Sequence, residues 1–375
     1  MGTSKDLLPH SFLKMRRSRS TTVHCSLFTI NCSSRFLYEK MNYINIGNVK
    51  IKQTAALAPM AGIADTAFRT VMKRFGAAYC VGEMASCKGL CYSDRKTAEL
   101  LTLTDIERPA AIQLFGCEPE FAAKSVEIAE RYRPDIIDLN AGCPVPKVAG
   151  NGAGSALMKD PILFGEMVSA IVSAAHVPVT VKIRAGWDAE HINAREIAHI
   201  AEECGAAAVA VHARTKTQMY SGNADWDIIS AVKQAVSIPV IGNGDVDSVE
   251  KCEAMYRETG CDLVMIARGA YGDPWLFRDI DDYYEGRPIQ PPPTLAERLS
   301  VMREHIELLT KCKGESVGMR EARAQAAFYL KGMPNAAKYR GMCGRLSKLD
   351  DLYELIGVIE RANRADTAFV PVGDR

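Results

Sequence analysis

Residues 136–144 read IIDLNAGCP. A short apolar run closed by glycine reads as a strand buried on both faces. Asn140 and Cys143 do not suit a strand interior, and a cysteine held between Gly142 and Pro144 sits on a stiff, tightly turned loop. Its thiol is either a buried space-filler or is presented to something.

Seven runs of the same kind accompany it. AALAPM (55–60), AYCVGEM (78–84) and AAIQLFG (110–116) precede it, and VTVKIRAG (179–186), AVAVHAR (208–214), PVIGNGD (239–245) and LVMIARG (263–269) follow. Helical spacing fills the gaps. EPEFAAKSVEIAERY (118–132) places Phe121, Val126 and Ala129 on one stripe, and NAREIAHIAEECG (193–205) stops at Gly205, a natural C′ residue. Eight strands alternating with helices imply an all-parallel sheet, and about 220 residues is near the span of a (β/α)8 barrel. A doubly wound open sheet would want G-x-G-x-x-G after the first strand, where this chain has APMAGIADT. The predicted fold is therefore α/β, a TIM barrel.

The composition is 47% hydrophobic and 24% charged, ordinary for a water-soluble chain. No window supplies the roughly 20 apolar residues of a transmembrane helix, so no membrane partner is expected. Twelve scattered cysteines suit reduced thiols in a cytoplasm. Cys87 and Cys91 lack a second pair at zinc spacing, and no metal site is expected. A monomer is expected.

The net charge of +1 hides a partition. Residues 1–40 carry seven Lys/Arg against two acids, and residues 41–310 carry 27 against 35. Residues 311–348 carry nine against two, and residues 349–375 three against six. A basic segment near the end of an acidic body points to a local anion-binding surface, such as a nucleic acid would need. Residues 1–40 are basic, Ser/Thr-rich and without period; they read as a disordered extension or overcalled start, with a targeting leader as the alternative. QPPPT (290–294) is a proline stop, followed by the helical stretches LAERLSVMREHIELLTKCKG, MREARAQAAFYLKGM and LSKLDDLYELIGVIERAN. The barrel is placed at 41–289, and a small C-terminal all-α domain at 290–375.

Active sites of such barrels lie at the C-terminal ends of the strands. Those ends supply Met60, Glu83, Gln113, Asn140, Lys182, His212, the Asn243-Gly244-Asp245 turn and Arg268. Core packing cannot use so many polar groups in one layer. The glycine turns after strands seven and eight suit a phosphate held by backbone N–H groups, with Arg268 as the cation. Lys182 suits the negative charge of a reduced ring, and Gln113 can donate and accept at a ring edge. Phosphate, ring and cation together suggest FMN, with NAD(P)H as a visiting reductant. Cys143 then reads as a proton donor, since an ordinary thiol with a pKa of about 8.5 is mostly protonated at neutral pH.

APMAG (58–62), QLFG (113–116), DLNAGCPVPKV (138–148), VKIRAGW (181–187), VHART (211–215) and IGNGD (241–245) resemble the tRNA-dihydrouridine synthases, most nearly the bacterial B-type branch. The resemblance implies an FMN-containing TIM barrel, a helical tRNA-binding domain, and NADPH-driven reduction of uridines in tRNA. By position it implies that Pro59, Met60 and Ala61 line the flavin and that Gln113 and Lys182 contact its ring. His212 would help hold the cofactor, with Asn243, Gly244, Asp245, Ala267 and Arg268 on the phosphate side. Cys143 would protonate C5 of uracil while hydride goes to C6. Asn140, Arg184, Arg214, Lys331 and Arg340 are expected on the substrate side. Lys311, Lys313, Arg320, Arg323, Lys338, Arg345 and Lys348, with Tyr329 and Tyr339, extend the expected tRNA surface. GNGAGSALM (150–158) is expected to be a mobile lid. Two rivals stand beside this reading: a small-molecule flavin reductase of dihydroorotate-dehydrogenase type, and a tRNA-binding module whose barrel is a relic.

Overall fold

The computed structural model describes residues 42–92 and 95–363; the extension expected over 1–40 lies outside them. Strands β1 (Tyr43–Ile46) and β2 (Val49–Lys52) form an antiparallel hairpin. Eight more close into a parallel barrel: β3 (Ala55–Leu57), β4 (Tyr79–Ser86), β5 (Ala110–Phe115), β6 (Ile136–Ala141), β7 (Val179–Arg184), β8 (Ala208–His212), β9 (Val240–Asn243) and β10 (Leu263–Ile266). Each pairs with the next, and β10 returns to β3. All eight apolar runs are strands. Most of them end before the run does, because a turn takes over from the ladder; β4 runs on to Ser86 through a register shift between Val81 and Met84.

Alternation along each strand separates two cores. Outward residues such as Ile137, Leu139, Val209 and Val264 belong to one apolar cluster that also takes in Phe164, Met167 and Ile171 of the helix Pro161–Ala174. Inward residues are small or aliphatic at the lower end: Ala56, Ala111, Ala208, Ala210, Ile241 and Leu263. They leave room for Ile44, Ile46 and Ile51 of the hairpin, which joins the same cluster. Sequence analysis did not assign this hairpin. Its turn needs Gly47, whose φ is +57° and where a Cβ would lie 2.5 Å from Pro178.

The helix Pro119–Glu130 buries Ala122, Val126 and Ala129, and Ala194–Glu203 stops just before Gly205 at φ +91°. Past the proline stop, Thr294 caps the helix Leu295–Lys313 in a capping box with Glu297. Three more helices follow, Glu315–Phe328, Ala336–Cys343 and Leu349–Asn363, the third of these four having no clear sequence signal. Their apolar cluster takes in Ala67 and Trp275 from the barrel side. Tyr271 stacks on Phe328 at 4.4 Å and 13°, and Asp65 accepts from Gln325 at 3.0 Å. The helices are therefore joined to the barrel by apolar, aromatic and polar contacts. No helix among the described residues is long and apolar enough to cross a membrane.

Because the hairpin fills the lower barrel, Ile51→Ala should cost about 3 kcal/mol. The check is a fall in the urea midpoint, compared with an exposed control such as Ile162→Ala.

Candidate active site

The upper barrel changes character from apolar to polar. Lys182 Nζ donates to Asn243 Oδ1 at 3.1 Å, and Asn243 Nδ2 donates to the Met265 carbonyl at 2.8 Å. Gln113 is bonded to Asn140 at 2.8 Å and to Asp138 at 2.7 Å. Asp138 also accepts from Thr180 at 2.5 Å. These residues sit on five strands and face one axis.

Lys182, Arg184, Arg214 and Arg268 converge on His212. Burial and then these four cations push the imidazole pKa down to about 2, so it is neutral at any working pH. Burial, followed by the neighbouring Arg184, brings Lys182 down to about 8. Such a concentration of positive charge suits an anion.

The turn after β9 brings closely approached backbone beside these cations. Gly244 has φ +147°, and a Cβ there would lie 2.6 Å from Ala224 Cβ; at Gly269 a Cβ would meet the Val246 carbonyl at 2.3 Å. The N–H groups of Gly244, Asp245, Ala267 and Arg268 meet no acceptor among the described residues. Two adjacent turns of free donors beside cations have the geometry that suits a phosphate. Ala267 has a negative φ of −111°, so its turn does not use the left-handed conformation that favours glycine. Asp245, at φ +57°, turns its carboxylate away from that role. It accepts from Arg214 at 2.8 and 2.7 Å and from the Ala224 N–H at 2.7 Å, which holds its pKa low despite partial burial.

Cys143 follows β6 and is partly buried. Burial raises its thiol pKa, so the proton stays on sulfur at neutral pH. Its backbone N–H and that of Gly142 donate to Asn140 Oδ1, at 2.9 and 3.1 Å.

A cavity of about 920 Å³ joins the barrel mouth to the helices. His212, Asn243, Gly244 and Arg268 line one side, and Arg298, Lys331 and Arg340 the other. Gln113, Asn140 and Cys143 lie beyond its wall, linked to it through Lys182, which neighbours Asn140 in register.

The dihydrouridine synthase family model matches residues 56–363. The chain belongs to the dihydrouridine synthase family. It is accordingly an oxidoreductase. It is 43% identical over 299 residues to a probable tRNA-dihydrouridine synthase of Rickettsia conorii, covering 80% of this chain and 90% of that one. It is 42% identical over 313 residues to tRNA-dihydrouridine synthase B of Shewanella oneidensis, covering 84% and 97%. Among solved structures it resembles histamine dehydrogenase from Rhizobium sp. 4-9, with a TM-score of 0.54 at 13% identity, over 72% of this chain and 51% of that one. That likeness, spanning about half of the longer chain, is one of fold.

Several of the expected site residues are already partnered within the fold. Arg214 was expected to face substrate, but its guanidinium is buried and spent on Asp245, Ser221 and Gly222. Arg184 donates to the carbonyls of Gly142, Thr215 and Met219, which makes it a brace for the Cys143 loop. Asn140 is likewise occupied by that loop and by Gln113. Tyr329 and Tyr339, expected on the tRNA surface, are 1% exposed, and Lys313 pairs with Glu321 and Asp65. Lys331, Arg340, Arg320, Arg345 and Lys348 are exposed, as are Lys311, Arg323 and Lys338. The expected lid is no lid at its centre: Ala153–Ser155 are buried, with Ser155 N–H on the Cys143 carbonyl at 3.1 Å. A Cβ at Gly154 would lie 2.9 Å from that same carbonyl. Met60 and Pro59 are half-buried and Ala61 exposed, on the loop after β3. Glu83 accepts from the Gly62 N–H of that loop. Two residues not singled out from sequence join the site: Asp138, two places before Asn140 on the same strand face, and Tyr220, whose ring lies 4.9 Å from the Arg268 guanidinium.

Lys182 gives a pH test. Its charged form is penalised in the folded protein below about pH 8. Above that the folded protein sheds the proton before the unfolded chain does, so its contribution to stability improves up to about pH 10. Lys182→Met should therefore be more stable than the parent at pH 7, with the gap closing toward pH 10. Paired thermal melts across that range measure it.

Proposed function

We propose that the protein reduces specific uridines in tRNA to 5,6-dihydrouridine, with FMN bound at the barrel mouth and NADPH as reductant. The observation that carries this is the shared cavity, in which the turns suited to a phosphate and the basic helical segment face each other. A polyanion lying across Lys331 and Arg340 is thereby delivered to the strand ends. The relatives' names point to tRNA, and a basic surface on an otherwise acidic body fits it.

The Gly244 and Ala267–Arg268 turns would hold the cofactor phosphate, and Gln113 and Lys182 would meet its ring. When bound there and reduced, FMN would supply the hydride for C6 of uracil. A uracil in folded tRNA has to be extruded to reach the mouth. Cys143 Sγ–H then delivers its proton to C5, and the thiolate recovers one from water. Arg184 and Asn140 keep the loop in place through its backbone while this happens. His212, being neutral, can hydrogen-bond without adding charge. The segment from residue 290 onward serves as the tRNA-binding domain.

The test reduces the purified protein anaerobically with NADPH, adds tRNA lacking dihydrouridine, and follows flavin absorbance and then the tRNA. Rapid reoxidation with dihydrouridine in the product is expected. Reoxidation by free orotate but not by tRNA would instead make the protein a small-molecule reductase. Cys143→Ala should leave flavin reduction by NADPH intact and slow dihydrouridine formation by about 10²–10⁴-fold. Lys331→Glu with Arg340→Glu should weaken tRNA binding, and each lost phosphate contact should make its log–log salt dependence shallower by about 1. Flavin absorbance should not change in that variant.

A further inference from the structure

The chemistry above leaves a buried carboxylate without a task. Asp138 is 3% exposed, in the middle of β6. Its Oδ1 accepts from Thr180 Oγ1 at 2.5 Å and its Oδ2 from Gln113 Nε2 at 2.7 Å. Gln113 Oε1 accepts from Asn140 Nδ2 at 2.8 Å. Asn140 Oδ1 accepts from the backbone N–H groups of Gly142 and Cys143. We propose that Asp138 is a positioning residue that sets the direction of this hydrogen-bond chain and so holds the backbone of Cys143 at the barrel mouth.

The argument is one of polarity. A side-chain amide can turn either way, and nothing within Gln113 or Asn140 selects one orientation. An ionised carboxylate only accepts, so Gln113 must present Nε2 to it and turn Oε1 toward Asn140. Asn140 must then donate through Nδ2, which leaves Oδ1 for the loop. At the far end, backbone N–H groups only donate. An acceptor-only end and a donor-only end agree on a single orientation of both amides. Asparagine at position 138 has nearly the same shape and could still accept from Thr180. It would, however, offer an NH₂ either to Gln113, so that a donor would face a donor somewhere along the chain, or to Thr180, whose hydroxyl would have to turn from donating to accepting. A carboxylate is costly here, for burial raises its pKa to about 6 against the bonds from Thr180 and Gln113 and the charge of Lys182. What it supplies is an end that only accepts, so the direction does not depend on which way the Thr180 hydroxyl turns.

The link to catalysis rests on Cys143 as proton donor; the link to loop position does not. The experiment compares wild type, Asp138→Asn, and the double variant Gln113→Glu/Asp138→Asn. In the double variant the carboxylate and amide exchange places and the chain regains one consistent direction. Readouts are hydrogen exchange at the Gly142 and Cys143 amides, alkylation of Cys143 by iodoacetamide followed by peptide mass spectrometry, and single-turnover reduction of tRNA.

Asp138→Asn should speed exchange at both amides by about tenfold or more, as loss of a buried hydrogen bond implies. It should change the Cys143 alkylation rate and slow transfer by about a hundredfold, the order that a misplacement of about 1 Å costs. The double variant should recover exchange and alkylation, neither of which requires flavin turnover. A residue that merely filled space would not be rescued by moving the charge to its neighbour. Wild-type exchange and alkylation in Asp138→Asn would overturn the proposal, as would a double variant no better than the single one. If Asp138→Asn does not fold, a folded double variant supports the proposal and an unfolded one overturns it. If wild type itself fails to reduce tRNA while the exchange pattern holds, the functional reading falls and the positioning role stands.

Discussion

Closure of the ring between β10 and β3 is the constraint on which the site depends. Val264, Met265 and Ile266 pair with Ala55, Ala56 and Leu57, and the Ala58 N–H reaches the Ile266 carbonyl at 2.8 Å. A closed barrel couples the tilt and register of every strand. The ends of eight strands therefore present their inward side chains to one axis. Gln113 and Asp138 lie level across β5 and β6, Asn140 and Lys182 across β6 and β7, and His212 and Asn243 across β8 and β9. A slip of one residue in any strand would turn its polar group into the apolar layer outside.

That arrangement concentrates like charge at a cost to stability. Lys182, Arg184, Arg214 and Arg268 act together on a single imidazole, and burial lowers Lys182 and Arg184 further. Asp245 and loop carbonyls compensate part of it. The remaining positive charge is available to an anion. Functional sites commonly hold such costs, which the surrounding core offsets. Here that core is the outward aliphatic layer below, together with the isoleucines of the hairpin.

The strands were legible because apolar runs of this length, bounded by glycine turns, have few other readings. The turns after β9 and β10 were legible as tight glycine turns because position in a barrel gives weak glycine motifs meaning. Individual roles were less so. Arg184, Arg214 and Asn140 each look free to bind a ligand when read along the chain, and each is consumed by a partner outside its own strand. Arg214 meets Asp245, 31 residues on; Arg184 meets Gly142, 42 residues back. Tyr329 and Tyr339 stand in a basic segment, yet they face inward to complete the helical core. The segment around Gly154 reads as a flexible lid by composition, but its glycine is there because a Cβ would strike the Cys143 carbonyl.

The sequence by itself determined the eight strands, the alternating helices, the residue types at the strand ends, the placement of positive charge near the end of the chain and the family to which it belongs. These follow from local period, local charge and short motifs, all of which are written along the chain. Only the tertiary structure decided which donors and acceptors are already satisfied, which lysines and arginines still face solvent, and that Asp138 and Cys143 stand at two ends of one hydrogen-bonded path. Hydrogen-bond satisfaction is a property of neighbours in space. Gln113 and Asp138 lie 25 residues apart, and Lys182 and Asn243 lie 61 apart, before closure of the barrel makes them neighbours.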